Sequence, residues 1–218
     1  MLNDKDFLPT NLDDCVISDV HSKDMLTKIV NRIFPFPSFG KCGIILHGPY
    51  GTGKSTLARL LPDLFERAIG GTEAHVHDFD CSQGLNGTSL ITQIRTITSF
   101  VSFNKTGFHY TVLDEVDLLT TAAQASLKSI MNGQHGIFIM TTNDITAVDK
   151  GVVNRSHLIH MMAAKASAWL PMVKKVIKEC GAPVPPDSAL IPVIESCSGS
   201  CREICTAAME VAIRSIDK

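Results

Sequence analysis

Apolar positions along this chain recur with two periods, and the switches between them mark its elements. Met25, Leu26, Ile29, Val30 and Ile33 fall at helical spacing over residues 22–33, with Ser22 placed to cap that helix. The run Phe34-Pro35-Phe36-Pro37-Ser38-Phe39-Gly40 breaks the pattern and leads into Gly43-Ile44-Ile45-Leu46-His47, a short β-branched stretch that predicts a buried strand. Leu57, Leu60, Leu61 and Leu64 return to helical spacing. A second strand is predicted at 74–79, followed by Gly84-Leu85-Asn86-Gly87-Thr88 and a helix through Ile91, Ile94, Ile97 and Val101. A strand over 108–113, a helix over 121–131 and strands at 136–140 and 158–161 complete an alternation that predicts a parallel sheet covered by helices. From 166 the strands stop. Trp169, Val173, Val176 and Ile177 line a helix over 166–180, with Pro171 near its start and Gly181 ending it. Pro183-Val184-Pro185-Pro186 is a stiff connector, and helices near 187–196 and 201–216 close a small bundle, Ser200 capping the last. Nothing repeats internally, and no segment is low in complexity.

The chemistry enters at the first strand-to-helix turn. Gly48-Pro49-Tyr50-Gly51-Thr52-Gly53-Lys54-Ser55-Thr56 fits G-x-x-x-x-G-K-[ST], between a predicted strand and a predicted helix as that motif requires. Glycines let successive N–H groups face inward and form an anion nest at a helix N-terminus. Lys54 is then expected to reach the β- and γ-phosphates, and the Ser55 hydroxyl to ligate Mg²⁺. These residues predict that the chain binds a nucleoside triphosphate with Mg²⁺.

A second group supports this. Tyr110-Thr111-Val112-Leu113 runs into Asp114-Glu115, and carboxylates at the C-terminal edge of a strand lie where α/β sheets bind ligands. Asp114 is expected to hold Mg²⁺ with Ser55, and Glu115 to orient and polarise an attacking water. Asn143, after the apolar strand ending in Thr141-Thr142, is expected between Glu115 and the γ-phosphate.

Bulk properties change this picture little. The 218 residues suit one large domain, or a core domain with a small one. With 20 Lys+Arg against 22 Asp+Glu the net charge is −2, so no global basic field advertises nucleic acid, although a local patch is compatible with it. The start is unlike a secretory signal and no apolar run is long enough to span a membrane. Seven scattered cysteines suit reduced thiols in a cytosol. Cys197, Cys201 and Cys205 are spaced by four and are read as small apolar residues in a helix interface. His75 and His77 flank Val76 and share a face, without a third ligand, so no metal beyond nucleotide-bound Mg²⁺ is assigned.

At this point the residues resemble the AAA+ ATPases, and within them the clamp-loader small subunits. Leu8-Pro9-Thr10-Asn11-Leu12-Asp13-Asp14 is similar to their N-terminal lead-in, with Phe7-Leu8 where Tyr-Arg is usual. Asp114-Glu115-Val116-Asp117 resembles their acidic box, and Gln124-Ala125-Ser126-Leu127-Lys128 the helix behind it. Thr142-Asn143 matches the polar sensor, Asn154-Arg155-Ser156 stands where Ser-Arg-Cys is usual, and Gly199-Ser200-Cys201-Arg202 resembles the second sensor.

The resemblance implies an AAA+ P-loop α/β domain over 1–162 and a helical lid over 163–218. It implies that Arg155 reaches into a neighbour's ATP site and that Arg202 touches the phosphates of its own. It implies ATP hydrolysis coupled to assembly on, or release from, DNA, within a homo- or hetero-oligomer, with DNA and a sliding clamp as partners. DNA phosphates would then meet stretches that include Asn86, Thr88, Arg95 and Lys128. The alternative is a nucleotide-dependent switch for helicase loading or transposition targeting. A cytoplasmic protein is expected, encoded by a cell or by a virus or plasmid acting in its host. The chain ends just past the second-sensor helix, without the family's collar, so it is expected to be an excised ATPase module or a minimal relative.

Overall fold

The computed structural model describes residues 7–82, 86–133 and 135–216. Five strands, β1 (Gly43–His47), β2 (Val76–Asp80), β3 (His109–Asp114), β4 (Gly136–Thr142) and β5 (Ser156–His160), form one sheet of order β2-β3-β4-β1-β5. Every pairing is parallel. The inner strands β1, β3 and β4 are almost wholly buried, whereas β2 and β5 at the edges are half-buried. That contrast explains why the inner strands read as continuous apolar runs.

The helices are α1 (Val20–Val30), α2 (Lys54–Arg67), α3 (Thr88–Thr98), α4 (Thr121–Ile130), α5 (Lys150–Asn154), α6 (Ala166–Glu179), α7 (Asp187–Ser196) and α8 (Cys201–Ile216). Ile45, Leu113, Phe138 and Met140 from one sheet face join Leu90, Ile91 and Ile94 of α3, Ala123 and Leu127 of α4 and Val152 of α5 in a single core. Tyr110 stacks on Phe65 of α2 with ring centroids 6.1 Å apart, so α2 lies against the sheet as well.

The chain resolves into two compact units. One holds Val20–Gly48 and Lys54–His160, the sheet with α1 to α5. The other holds the described parts of Met1–Asp19 and Met161–Lys218, together with Pro49–Gly53. In this second unit Trp169, Val173, Val176, Ile177, Leu190, Ile194, Ile204, Ala208 and Ala212 form the core of a three-helix bundle, against which Phe7, Val16, Cys197 and Cys201 pack. Gly181 at φ 75° ends α6, as the sequence predicts for a left-handed helix stop. Glu203 N donates to Ser200 Oγ at 3.5 Å, a long cap on α8.

One expectation changes, one helix is new, and one turn falls partly outside the described residues. Ser22 is no cap: α1 begins two residues earlier, and the buried Ser22 Oγ accepts from His160 N at 2.8 Å, tying α1 to β5. The helix α5 lay unread because five residues carry too little periodicity; Asp149 caps it by accepting from Gly151 N at 2.7 Å and Val152 N at 3.3 Å. Of the turn read at 84–88, Gly84 and Leu85 lie outside the described residues. No helix among the described residues is long and apolar enough to cross a membrane.

Candidate active site

The loop after β1 takes a form that only its glycines permit. Gly48, Gly51 and Gly53 have φ of 145°, 77° and 86°, values that a Cβ makes costly. Thr52 is buried and its Oγ1 donates to Pro49 O at 3.0 Å, bracing the loop, while Tyr50 is 78% exposed. Gly51 O accepts from Cys201 N at 2.7 Å, and a Cβ on Gly51 would stand 2.8 Å from Ser200 Oγ, so a side chain there is excluded twice over. Gly48 N reaches Thr142 O at 3.3 Å. Lys54 opens α2, and its buried Nζ donates to Gly48 O at 2.8 Å. Ser55 and Thr56, half-buried, continue the first turn of α2.

Asp114, the last residue of β3, gathers three elements. Its Oδ1 accepts from Ser55 Oγ at 2.8 Å and from Thr141 Oγ1, and its Oδ2 meets Arg59 Nη2 at 3.4 Å. Ser55 and Arg59 are four residues apart on α2 and therefore share a face. Glu115 follows at φ 58°, ψ 52°, a left-handed conformation uncommon outside glycine, and its N donates to Thr141 Oγ1 at 3.0 Å. Burial pushes the Glu115 carboxyl above its usual range, and Asp114, Asp80 and Asp117 push the same way against Lys54. A carboxylate so raised is a better proton acceptor. Asn143 stands just past β4 with its Oδ1 buried and without a hydrogen-bond partner among the described residues. Such an orphaned acceptor fits a site that receives a ligand or ordered water.

These residues suit a nucleotide and a hard divalent cation. A positive-φ glycine loop with a buried lysine suits phosphate. Two adjacent oxygen donors, Ser55 and Asp114, suit Mg²⁺, which keeps most of its coordination for phosphate and water oxygens.

The two predicted arginines sit in different surroundings. Arg155, between α5 and the edge strand β5, donates from Nε to Asn132 Oδ1 at 2.8 Å and from Nη1 to Gly151 O at 2.9 Å. Arg202 is exposed in the first turn of α8 and forms no ion pair among the described residues.

Thr141 and Arg59 were missed. A threonine inside an apolar strand carries no local signal, and only the register of β3 beside β4 brings it to Asp114. Arg59 carries no local signal until α2 is laid along the sheet. His47, before the loop, also went unread; its ring stacks on that of His160 at 4.8 Å across the β1–β5 pairing, and burial first, then His160 and Lys54, hold its pKa below the usual value.

A parallel sheet with a phosphate loop after its first strand and an Asp-Glu pair ending a neighbouring strand defines a P-loop nucleoside triphosphatase. Residues 44–162 match the family described as AAA, ATPase family associated with various cellular activities, and the chain belongs to that family. It is 24% identical over 186 residues to "Replication factor C small subunit 2" of Pyrobaculum islandicum, covering 84% of this chain and 57% of that protein. It is 24% identical over 201 residues to "Replication factor C subunit 4" of Encephalitozoon cuniculi, covering 90% and 60%. The chain thus spans a little over half the length of the curated relatives it matches. Among solved structures, the RuvB Holliday junction branch migration motor of Thermotoga maritima superposes with a TM-score of 0.72 over 97% of this chain and 72% of that one. At 15% identity that likeness concerns the fold alone.

Proposed function

We propose that the chain is an ATP-hydrolysing subunit of a clamp-loader-like assembly, acting in the cytoplasm and coupling hydrolysis to assembly on, or release from, DNA. The observation that carries the ATPase reading is the convergence of Ser55, Thr141 and Arg59 on Asp114, with Glu115 held beside it in a left-handed turn. Lys54 exchanges its bond to Gly48 O for the β- and γ-phosphates. Ser55 and Asp114 hold Mg²⁺, which when bound neutralises charge on the phosphates. Glu115 takes the proton of the attacking water, and the unpaired Oδ1 of Asn143 orients that water. Arg202 meets the phosphates of its own chain. Arg155 serves a neighbouring subunit, either reaching it from its anchored base or releasing Asn132 and Gly151 O.

Clamp loading itself is supported by the replication factor C relatives and by one surface. On the segment joining α3 to β3, Phe100, Val101 and Phe103 are 69%, 86% and 95% exposed. Three large apolar side chains held out in so short a stretch suit a protein partner. For DNA, α3 opens at Thr88 after Gly87, which supplies no side-chain cap, so backbone N–H groups remain for phosphate. Arg95 is exposed on the same helix; Lys128 is partly engaged, 3.8 Å from Asp149 Oδ1.

ATP turnover measured with primed DNA, with and without a sliding clamp, tests the reading. Stimulation that requires both supports clamp loading. Stimulation by DNA alone, indifferent to the clamp, points instead to a helicase-loading or transposition-targeting switch.

A further inference from the structure

Arg59 occupies a place that the proposed mechanism leaves unused. Its Nε lies 2.6 Å from Asp78 Oδ2 on β2, while its Nη2 lies 3.4 Å from Asp114 Oδ2 on β3. The two strands are adjacent, with Asp78 opposite Val112 and Asp80 opposite Asp114, so one guanidinium bridges two carboxylates across one ladder. The other oxygen of Asp114 is already taken by the hydroxyls of Ser55 and Thr141. Among the described residues, Ser55, Thr141 and Arg59 all donate to Asp114. The contacts are unequal: the short one is to Asp78, and the Asp114 contact is long. Arg59 is half-exposed, with 49% of its side chain accessible, and has room to swing.

We infer that Arg59 is a positioning residue that acts as an internal counter-cation, tethered by Asp78, which covers the outer oxygen of Asp114 and yields it when a divalent cation arrives. The inference rests on the assignment of Asp114 and Ser55 as the metal-holding pair. The physical basis is competition for one carboxylate. A positive charge near Asp114 opposes entry of a second one, and its removal favours the metal. Asp78 acts in the opposite sense, because it holds the guanidinium off centre and adds a negative charge to the neighbourhood. An exposed ion pair contributes up to about 1 kcal/mol, roughly fivefold in an equilibrium constant.

The test uses the full chain and the non-hydrolysable ATP analogue AMP-PNP. Its affinity is measured by calorimetry in Mg²⁺ and in EDTA, and the ratio of the two reports the metal's share. Arg59→Met should raise that ratio by about two- to fivefold, and Asp78→Asn should lower it. Asp78→Asn should have a smaller effect in the Arg59→Met background than alone, because the tether then has nothing to hold. Arg59→Lys, which keeps the charge, should stay near wild type and serves if the methionine variant melts early by circular dichroism. An unchanged or lowered ratio in Arg59→Met overturns the inference, as does an equal effect of Asp78→Asn in both backgrounds. Asp114→Asn separates two kinds of failure. If it collapses the ratio while Arg59→Met does nothing, the metal site stands and Arg59 has no part in it. If it too leaves the ratio unchanged, the assignment of Asp114 falls and the inference falls with it.

Discussion

Glu66, in the last turn of α2, is 1% exposed and accepts from four donors: Lys105 N at 2.7 Å, Thr106 N at 3.3 Å, Thr106 Oγ1 at 2.6 Å and Tyr110 Oη at 2.8 Å. Glu66→Gln keeps the shape but replaces one oxygen by an NH₂ group. In the better orientation the amide oxygen keeps Thr106 and Tyr110, and the NH₂ faces the Lys105 N–H, leaving one buried donor without an acceptor. That loss is about 1–3 kcal/mol, with more from the missing charge on the remaining bonds, so a destabilisation of about 2–3 kcal/mol is expected at pH 7. Urea unfolding should show it as a lower midpoint at unchanged slope. The pH dependence has a definite sign. Burial alone pushes the Glu66 carboxyl up, but the bonds from Thr106, Tyr110 and Lys105 outweigh it and hold the pKa below the ordinary 4.5. A depressed carboxyl contributes stability that is present above its unfolded value and lost as pH falls through its folded one. The gap between wild type and Glu66→Gln should therefore close on acidification below about 4.5. Hydrogen exchange at the Lys105 and Thr106 amides should accelerate in the variant, since the same carboxylate anchors the segment that presents Phe100, Val101 and Phe103. A gap below about 0.5 kcal/mol at pH 7, the range of ordinary surface substitutions, or one that widens in acid, would refute this account.

Three further outcomes are expected of the site. Lys54→Ala should abolish measurable ATP affinity in calorimetry, because among the described residues Lys54 is the only buried lysine or arginine; unchanged affinity for Mg·ATP would remove the phosphate-loop assignment. Glu115→Gln should keep ATP binding while hydrolysis falls by about 10²–10⁴-fold. In the wild type the single-turnover rate should rise with pH through a step above the ordinary 4.5 of a glutamate, as the raised carboxyl deprotonates, and that step should vanish in the glutamine variant. Arg155→Ala should bind ATP yet lose roughly 10³–10⁵ in rate, the range for an arginine supplied in trans. Mixing it with Lys54→Ala should restore part of the turnover, and no recovery in an assembly that hydrolyses ATP as wild type would make Arg155 structural.

What could be read from the chain alone was whatever lies close together along it. The phosphate loop spans nine consecutive residues, and its glycines, lysine and serine are joined by the same short backbone that shapes them, so Lys54 and Ser55 were legible before any fold was known. The five strands were legible as short apolar runs between turn signals, and the longer helices because ten or more residues of periodic burial leave a clear trace, whereas the five residues of α5 do not. Asp114 and Glu115 were found because they end an apolar run, yet nothing local foretold the left-handed turn at Glu115 or its bond to Thr141. Those depend on β4 lying beside β3, a pairing between residues about 27 apart. Arg59 and Asp78 lie on different elements and carry no local signal; only the packing of α2 over β2 and β3 sets the guanidinium between Asp78 and Asp114. Ser22 misled for the related reason that a hydroxyl near a helix start suits a cap, whereas burial against β5 gave it a different donor. Local propensity and periodicity are written in neighbouring residues, but which strand lies beside which, and which side chains then share a partner, depend on how the buried apolar faces fit together across the whole sheet.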